Sequence, residues 1–148
     1  MDALQIHLLL NHVPIIGALV ALLVVVVGHF AHNKAIGITG LAMYFVMALA
    51  VVPTYLSGEP AEERIENIAG IQKSVIEAHE DMATISLWIM LAAAAFAGAS
   101  FYAQWKSMSS AKLLSTVFIV VAIGAFIHIG LTGHEGGKIR RPDLGTNE

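Results

Sequence analysis

The chain has 148 residues, of which 57% are hydrophobic and 13% are charged, and its mean hydropathy is +0.74. A soluble domain has about 25% charged residues, so this composition predicts a membrane protein. The net charge of −3 and the lack of a basic stretch argue against a nucleic-acid partner, and the absence of cysteine excludes disulfides, thiolate metal sites and covalently attached c-type haem.

Four apolar runs of membrane-spanning length follow one another along the sequence. They cover about Leu4 to Gly28, Ala35 to Leu56, Met82 to Ala103 and Leu113 to Leu131. About 20 helical residues cross a ~30 Å hydrocarbon core, whereas open strands would leave backbone groups unpaired in lipid. The sequence therefore predicts an all-α integral membrane four-helix bundle over residues 1–137. A polar tail over residues 138–148 would serve as a surface strap or a partner-binding extension.

The first run opens with two histidines and a proline, His7, His12 and Pro14. Ligating side chains at the mouth of an apolar span are costly and usually functional. Pro14 removes the hydrogen bond to the carbonyl of Leu10 and predicts a bend. Either the span merely tolerates the proline, or the bend directs His12 into the bundle.

The short turn after the first run carries two further histidines, His29 and His32, which share a helical face. The other turn at that membrane end contains no further residue that could bind a metal or haem together with these two histidines. We interpret both histidines as interfacial residues rather than ligands.

The segment from Ala61 to Asp81, between the second and third runs, has an amphipathic pattern with apolar and acidic residues on opposite arcs. His79 falls on the apolar arc, in phase with Ala83 and Ser86 of the third run. We expect its side chain to point into the bundle, the alternative being an interfacial residue. If Gly70 breaks the helix, the shared helical face can be inferred only for the residues that follow Gly70.

Successive spans run in opposite directions through the membrane. The first and third spans therefore start at the same membrane face at which the second and fourth spans end. That face gathers five of the seven histidines, His7, His12, His79, His128 and His134. At ~1.5 Å per residue, His7 and His134 share one depth and His12 and His128 another, with His79 near the interface. We call this end of the bundle the His-rich face.

Neutral imidazole is a common ligand of haem iron, copper, zinc and non-haem iron. A low-spin b-type haem needs two imidazoles from different helices inside an apolar pocket, which helix bundles provide. The acids near this face lie at its rim or on the polar arc, namely Glu59, Glu77, Glu80 and Glu135. This placement favours haem over a carboxylate-bridged pair of metal ions.

Several motifs resemble an uncharacterised family of small bacterial four-helix membrane proteins, known only as a domain of unknown function. The opening His7-x4-His12-x-Pro14 is similar to the family's His-Pro-x-x-x-His-Phe-Pro, and Ser57-Gly58, His79 and Thr132-Gly133-His134-x-Gly136-Gly137 follow in the same order. The resemblance covers nearly the whole chain but departs from the pattern at Leu8, where the family has proline. This chain also lacks the fused cytochrome domain that some similar proteins carry. The resemblance implies a redox setting, beside c-type cytochromes, at the outer face of a bacterial inner membrane.

The predicted function is that of a membrane electron-transfer subunit of a respiratory redox complex, binding one or two b-type haems. The first ligand candidates are His12, His79 and His128, followed by His7 and His134. The subunit would pass electrons between a quinol or partner subunit and a soluble c-type cytochrome, without bond chemistry on a substrate. The alternatives are a copper, zinc or iron binding or transport protein that uses the same imidazoles, and a cofactor-free scaffold whose histidines line a proton or quinone path.

Cations are unequally divided between the two membrane faces. The His-rich face carries Arg64, Lys73, Lys138, Arg140 and Arg141, and the opposite face carries Lys34, Lys106 and Lys112. The three arginines either pair with haem propionates or are simply interfacial cations. The positive-inside rule places the His-rich face in the cytoplasm, whereas the family context favours the periplasm, which is the orientation we expect.

Overall fold

The computed structural model describes residues 2–66, 68 and 71–140, with Arg140 described by its backbone alone. Every regular element within these residues is an α-helix, as predicted. The helices are α1 (Ala3–Leu10), α2 (His12–Phe30), α3 (Lys34–Leu49), α4 (Val51–Leu56), α5 (Gly58–Glu62), α6 (Lys73–Trp105) and α7 (Ala111–Arg140).

Four helical stretches are long and apolar enough to cross a membrane: α1 with α2, α3 with α4, α6, and α7. In the bundle α2 packs against α3, α3 against α6, α6 against α7, and α7 against α2, so the four spans form a closed ring. This arrangement confirms the predicted four-helix bundle. At ~1.5 Å per residue, the 33 residues of α6 extend about 50 Å, which is longer than the ~30 Å hydrocarbon core.

Large side chains fill the centre of the bundle and equally large ones cover its outside. The rings of Tyr44 and Phe118 meet edge to face with centroids 4.8 Å apart, and Leu41 and Met90 are fully buried beside them. By contrast, Leu23 and its counterparts on the other spans are more than half exposed. Apolar surface on both sides of every span is typical of helices whose outer face contacts lipid.

The first span is interrupted one turn before its buried proline. Helix α1 ends at Leu10 and α2 begins at His12. Because Pro14 has no N–H to offer, the carbonyl of Leu10 instead faces Thr54 Oγ1 at 3.2 Å. The single hydroxyl proton of Thr54 is shared with the closer carbonyl of Ala50, at 2.8 Å, so a side chain of the second span partly replaces the donor that the proline lacks.

The segment from Ala61 to Asp81 is not one continuous amphipathic helix. Helix α5 ends at Glu62, residues 63–66 form turns, and the next helix begins at Lys73. Four glutamates, Glu59, Glu62, Glu63 and Glu66, occur within two turns at three- and four-residue spacings. Like charges at these spacings destabilise a helix, and acids near its C-terminal end oppose the macrodipole.

The third and fourth spans are longer than the apolar runs that predicted them. Helix α6 starts nine residues before Met82, so His79 belongs to the same rigid helix as Ser86. Helix α7 continues past Leu131 to Arg140, so the predicted polar tail begins within this helix. The rest of that tail, from Arg141, lies outside the described residues.

The first two spans approach each other through glycine. A methyl group built on Gly28 would lie 2.7 Å from Cα of Gly37, and one built on Gly40 would lie 2.6 Å from the backbone nitrogen of Val25. Backbone cannot move aside as a flexible side chain can. These glycines therefore allow α2 and α3 to pack at a distance that no larger residue permits.

We expect Gly28→Ala to destabilise the bundle by about 1–3 kcal/mol, because its methyl group forces α2 and α3 apart. Gly124→Ala is the matched control, since a methyl group there meets no other atom within 4 Å. Because alanine is the better helix former, this control should be as stable as the wild type or more stable by up to about 1 kcal/mol. Thermal unfolding of both variants in the same detergent measures the difference, and equal melting temperatures would contradict the close packing.

Candidate functional site

The His-rich face is assembled from the ends of all four spans. Helix α1 contacts α4 and α5, and α4 contacts the beginning of α6. Helix α7 reaches the same end, where the backbone carbonyl of Thr132 lies 3.1 Å from Nδ1 of His79. The antiparallel threading inferred from the apolar runs therefore places residues of distant sequence beside one another.

Two histidines from different helices form the centre of this face. The rings of His7, on α1, and His79, on α6, have centroids 6.5 Å apart and planes inclined at 83°. Both side chains are half-buried. Two imidazoles that bind one metal ion from opposite sides, with metal–nitrogen bonds of about 2 Å, place their centroids roughly 6–6.5 Å apart. The observed centroid separation lies at the upper end of that range.

Hydrogen bonds fix which nitrogen of His7 carries the proton. Its Nδ1 lies 2.9 Å from Ser57 Oγ, and the Ser57 hydroxyl donates its only proton to the carbonyl of Thr54 at 2.7 Å. Ser57 Oγ therefore accepts from Nδ1–H of His7. In the neutral ring this leaves a lone pair on Nε2, which has no hydrogen-bond partner among the described residues.

The same tautomer is fixed at His79 by a different group. Its Nδ1 lies 3.1 Å from the carbonyl oxygen of Thr132, and a carbonyl can only accept. Nδ1 of His79 therefore carries the proton and Nε2 the lone pair. A backbone carbonyl or hydroxyl behind Nδ1 is the usual way in which proteins orient a metal-binding imidazole and raise its basicity.

A hydroxyl chain lies below this pair and ends at His128. Thr132 Oγ1 lies 3.1 Å from the carbonyl of His128 and 2.7 Å from Ser86 Oγ. Ser86 Oγ in turn lies 2.9 Å from Nδ1 of His128. Ser86 and Thr132 are buried, so this chain holds His128 against the wall between α6 and α7.

Two of the predicted ligands point away from the centre. His12 is exposed, and its Nδ1 donates to the carbonyl of Leu8, one turn earlier, at 2.8 Å. The predicted effect of Pro14, that it directs His12 into the bundle, is therefore wrong. His134 is also exposed. Equal depth in the membrane predicts the pairs His7 with His134 and His12 with His128, whereas the structure brings His7 together with His79.

Glycines border both central rings. A methyl group built on Gly136 of α7 would lie 2.9 Å from Cε1 and 3.4 Å from Nε2 of His79. One built on Gly58 would lie 3.7 Å from Cε1 of His7, which is ordinary contact. The absence of a side chain at Gly136 is therefore what gives the His79 imidazole its position. The sequence motif contained Gly136, but nothing in the pattern linked it to His79.

The charged groups of this face lie around the two rings rather than between them. Lys138 donates to Glu135 at 2.8 Å, one turn apart on α7, and both side chains are about one-quarter exposed. Arg64 is exposed, and the side chain of Arg140 and the whole of Arg141 lie outside the described residues. The proposed pairing of these arginines with propionates therefore stays a prediction.

The pKa of one carboxyl of this rim is raised towards neutral pH. Burial, followed by a hydrogen bond to Glu80 and the negative charges of Glu80, Glu66 and Glu59, raises the pKa of Glu62 to about 7 from its ordinary value of 4.5. The folded state binds this proton more tightly than the unfolded state does, because its pKa is higher. Protonated Glu62 therefore stabilises the fold at low pH. That contribution disappears as the pH rises through about 7.

We therefore expect the melting temperature of the wild-type protein to fall between pH 4.5 and pH 8, and Glu62→Gln to reduce that fall. The amide replaces the carboxyl without acquiring a charge. Glu63→Gln removes the same charge from an exposed neighbour and should keep the wild-type pH dependence. Parallel pH profiles for the wild type and Glu62→Gln would show that this carboxyl does not take up the proton.

The donor set distinguishes between kinds of metal group. Within the described part of the chain, no three His, Asp or Glu side chains are grouped so that they could hold a metal ion. A bare zinc or non-haem iron ion needs at least that many protein ligands. Two imidazoles with free Nε2 atoms suit a group that brings its own remaining ligands, as a porphyrin does.

Comparisons of the chain with protein-family models, with curated proteins and with solved structures found no match.

Proposed function

We propose that the protein is a membrane electron-transfer subunit that binds one b-type haem between His7 and His79. The observation that carries this proposal is the pair of rings 6.5 Å apart, on separate helices, each held by a hydrogen bond at Nδ1. When bound, haem supplies reversible one-electron chemistry at its iron. The resemblance to a bacterial family associated with c-type cytochromes adds the redox setting.

The protein's own contribution in this proposal is to orient the two imidazoles and tune their basicity. Ser57 and the carbonyl of Thr132 accept the Nδ1 protons, so both Nε2 atoms stay available as ligands. Apolar helices around the pair keep the dielectric constant low. Both effects change the potential of a bound iron, and neither requires a substrate to be positioned for bond chemistry.

We further propose that the protein works within a respiratory assembly of a bacterial inner membrane, with its His-rich face in the periplasm. In that position the rim carboxylates Glu59 and Glu63 would contact a soluble c-type cytochrome, and quinol would reach the pair from the lipid. Acidic residues around a redox centre steer a basic partner during encounter.

Titration of the purified protein with haemin, followed by absorption spectroscopy, tests the proposal. We expect a sharp Soret band of a six-coordinate low-spin haem that saturates at one haem per chain, and its reduction by a quinol analogue. Protein that develops no such band at any haemin concentration would refute the proposal.

A cofactor-free proton path is a second candidate, and the hydroxyl chain supports it. Ser86 and Thr132 connect His128 with the wall below His79 through bonds of 2.7–3.1 Å, and Glu62 shares a proton at the rim. Proton uptake by vesicles containing haem-free protein, abolished by Ser86→Ala, would favour this function.

A further inference from the structure

The membrane end opposite the His-rich face contains an open cleft between its two turns. The cleft has a volume of about 320 Å³ and lies between the α2–α3 turn and the α6–α7 turn. Most of its lining surface is apolar, and the basic and amide residues that line it are His29, His32, Asn33, Lys34, Gln104 and Lys112. We call this cavity the lysine cleft.

The charge around the lysine cleft is of one sign. The sequence has no Asp or Glu between Asp2 and Glu59, nor between Asp81 and Glu135, and these two stretches contain both turns. They do contain Lys34, Lys106 and Lys112. No carboxylate nearby in the sequence therefore neutralises the charge of these ammonium groups. The two ion pairs found among the described residues lie elsewhere, on the N-terminal part of α6 and the C-terminal part of α7.

The backbone adds further positive potential to the same place. Lys34 is the first residue of α3, and Lys112 is the second of α7, so both helices begin at the cleft. The Asn33 side chain caps the N–H of Ile36, and the N–H of Ala111 donates to the carbonyl of Met108, so only part of each first turn can offer N–H groups to a ligand. Lysine in the first turn of a helix is unfavourable, because the N-terminal end of the macrodipole is already positive. Two such ends with two lysines form a site that an anion would stabilise.

Lys34 is held in place rather than free in solvent. Its ammonium group donates to Ser107 Oγ at 2.7 Å and to the carbonyl of Trp105 at 3.4 Å, which joins the two turns. An ammonium group has three donors, so one remains for a ligand. The cleft is therefore partly preorganised before anything binds in it.

Aromatic residues place the cleft at the level of lipid headgroups. Tyr102 and Trp105, at the end of α6, are more than half exposed, and Lys106 lies with Nζ 4.5 Å above the Trp105 ring. Exposed Trp and Tyr at the end of a span, followed by lysine, are typical of the membrane–water interface. Lipid phosphates occupy the same depth.

We propose that the lysine cleft binds the phosphate of an anionic phospholipid headgroup, with Lys34 and Lys112 as its two cationic contacts. Lys34 would offer its third N–H and Lys112 its ammonium group. The N–H groups at the starts of α3 and α7 would complete the contacts to the phosphate oxygens.

Native mass spectrometry of the purified protein with equal amounts of phosphatidylglycerol and phosphatidylcholine tests this site. We expect the wild type to retain phosphatidylglycerol at least ~10-fold more often. The double variant Lys34→Gln with Lys112→Gln should lose this preference, and Lys34→Arg with Lys112→Arg should keep it. Lys106→Gln is the matched control, because it removes one charge at the same face but its side chain does not line the cleft.

The remaining outcomes are also decisive. No preference in the wild type, or an equal loss in Lys106→Gln, would overturn the proposal, because diffuse charge would then account for any binding. The same measurement with added inorganic phosphate distinguishes a lipid phosphate from a soluble phosphate as the ligand. If inorganic phosphate were retained and phosphatidylglycerol were not, the lipid occupant would be wrong and a soluble phosphate would bind in its place.

Discussion

Replacing His79 with alanine is expected to abolish the low-spin haem spectrum and to weaken haem binding at least ~100-fold, and His7→Ala should do the same. Each ring supplies one of only two protein nitrogens to the proposed site, and even loss of a residue behind a ligand costs about 10–100-fold in metal affinity. Haemin titration of the two variants, followed at the Soret band, measures the loss.

His29→Ala and His134→Ala are the controls for this experiment. His29 lies at the opposite end of the bundle, and the His134 side chain is exposed. Both variants should bind haem as the wild type does. If His12→Ala and His128→Ala lost the spectrum while His7→Ala and His79→Ala kept it, the ligands would be the inner pair that the depth argument predicts.

Gly136→Ala is expected to weaken haem binding by ~10-fold or more, although it replaces neither proposed ligand. Its methyl group would overlap the His79 ring at 2.9–3.4 Å, so the imidazole must turn and its hydrogen bond to the Thr132 carbonyl must lengthen. Overpacking of this kind costs about 1–3 kcal/mol, and each 1.4 kcal/mol is tenfold in affinity. The dissociation constant from the same titration measures the change.

The adjacent substitution Gly137→Ala shows whether that effect is local. It makes the same change one residue later in α7, where a methyl group meets no other atom within 4 Å. Because alanine is a better helix former than glycine, this variant should be as stable as the wild type or slightly more so. Equal haem affinity in Gly136→Ala and Gly137→Ala would mean that haem binding does not depend on the present position of the His79 ring.

The membrane architecture can be predicted from the sequence because it depends on the mean hydropathy of long runs of residues. Four apolar runs fix the number of spans, and their alternating direction fixes which ends share a face. The orientation of His79 was also predictable, since an unbroken helix carries the phase of Ser86 back to it. In each case a property of many residues determines the answer.

The pairing of the histidines was not predictable because it depends on single contacts. The rise per residue gives the depth of a side chain but not its direction around the helix, and the structure leaves His12 exposed. The partner that compensates Pro14, Thr54, comes from another span. The proton positions on His7 and His79 likewise depend on acceptors that are 50 and 53 residues away in sequence.

The most direct test of the central claim is an electron paramagnetic resonance spectrum of the oxidised, haem-loaded protein. Two axial imidazoles inclined at 83° predict a strongly anisotropic low-spin ferric signal that disappears in His7→Ala and in His79→Ala. A high-spin ferric signal in the wild type would contradict the account, because the iron would then lack one of its two imidazoles.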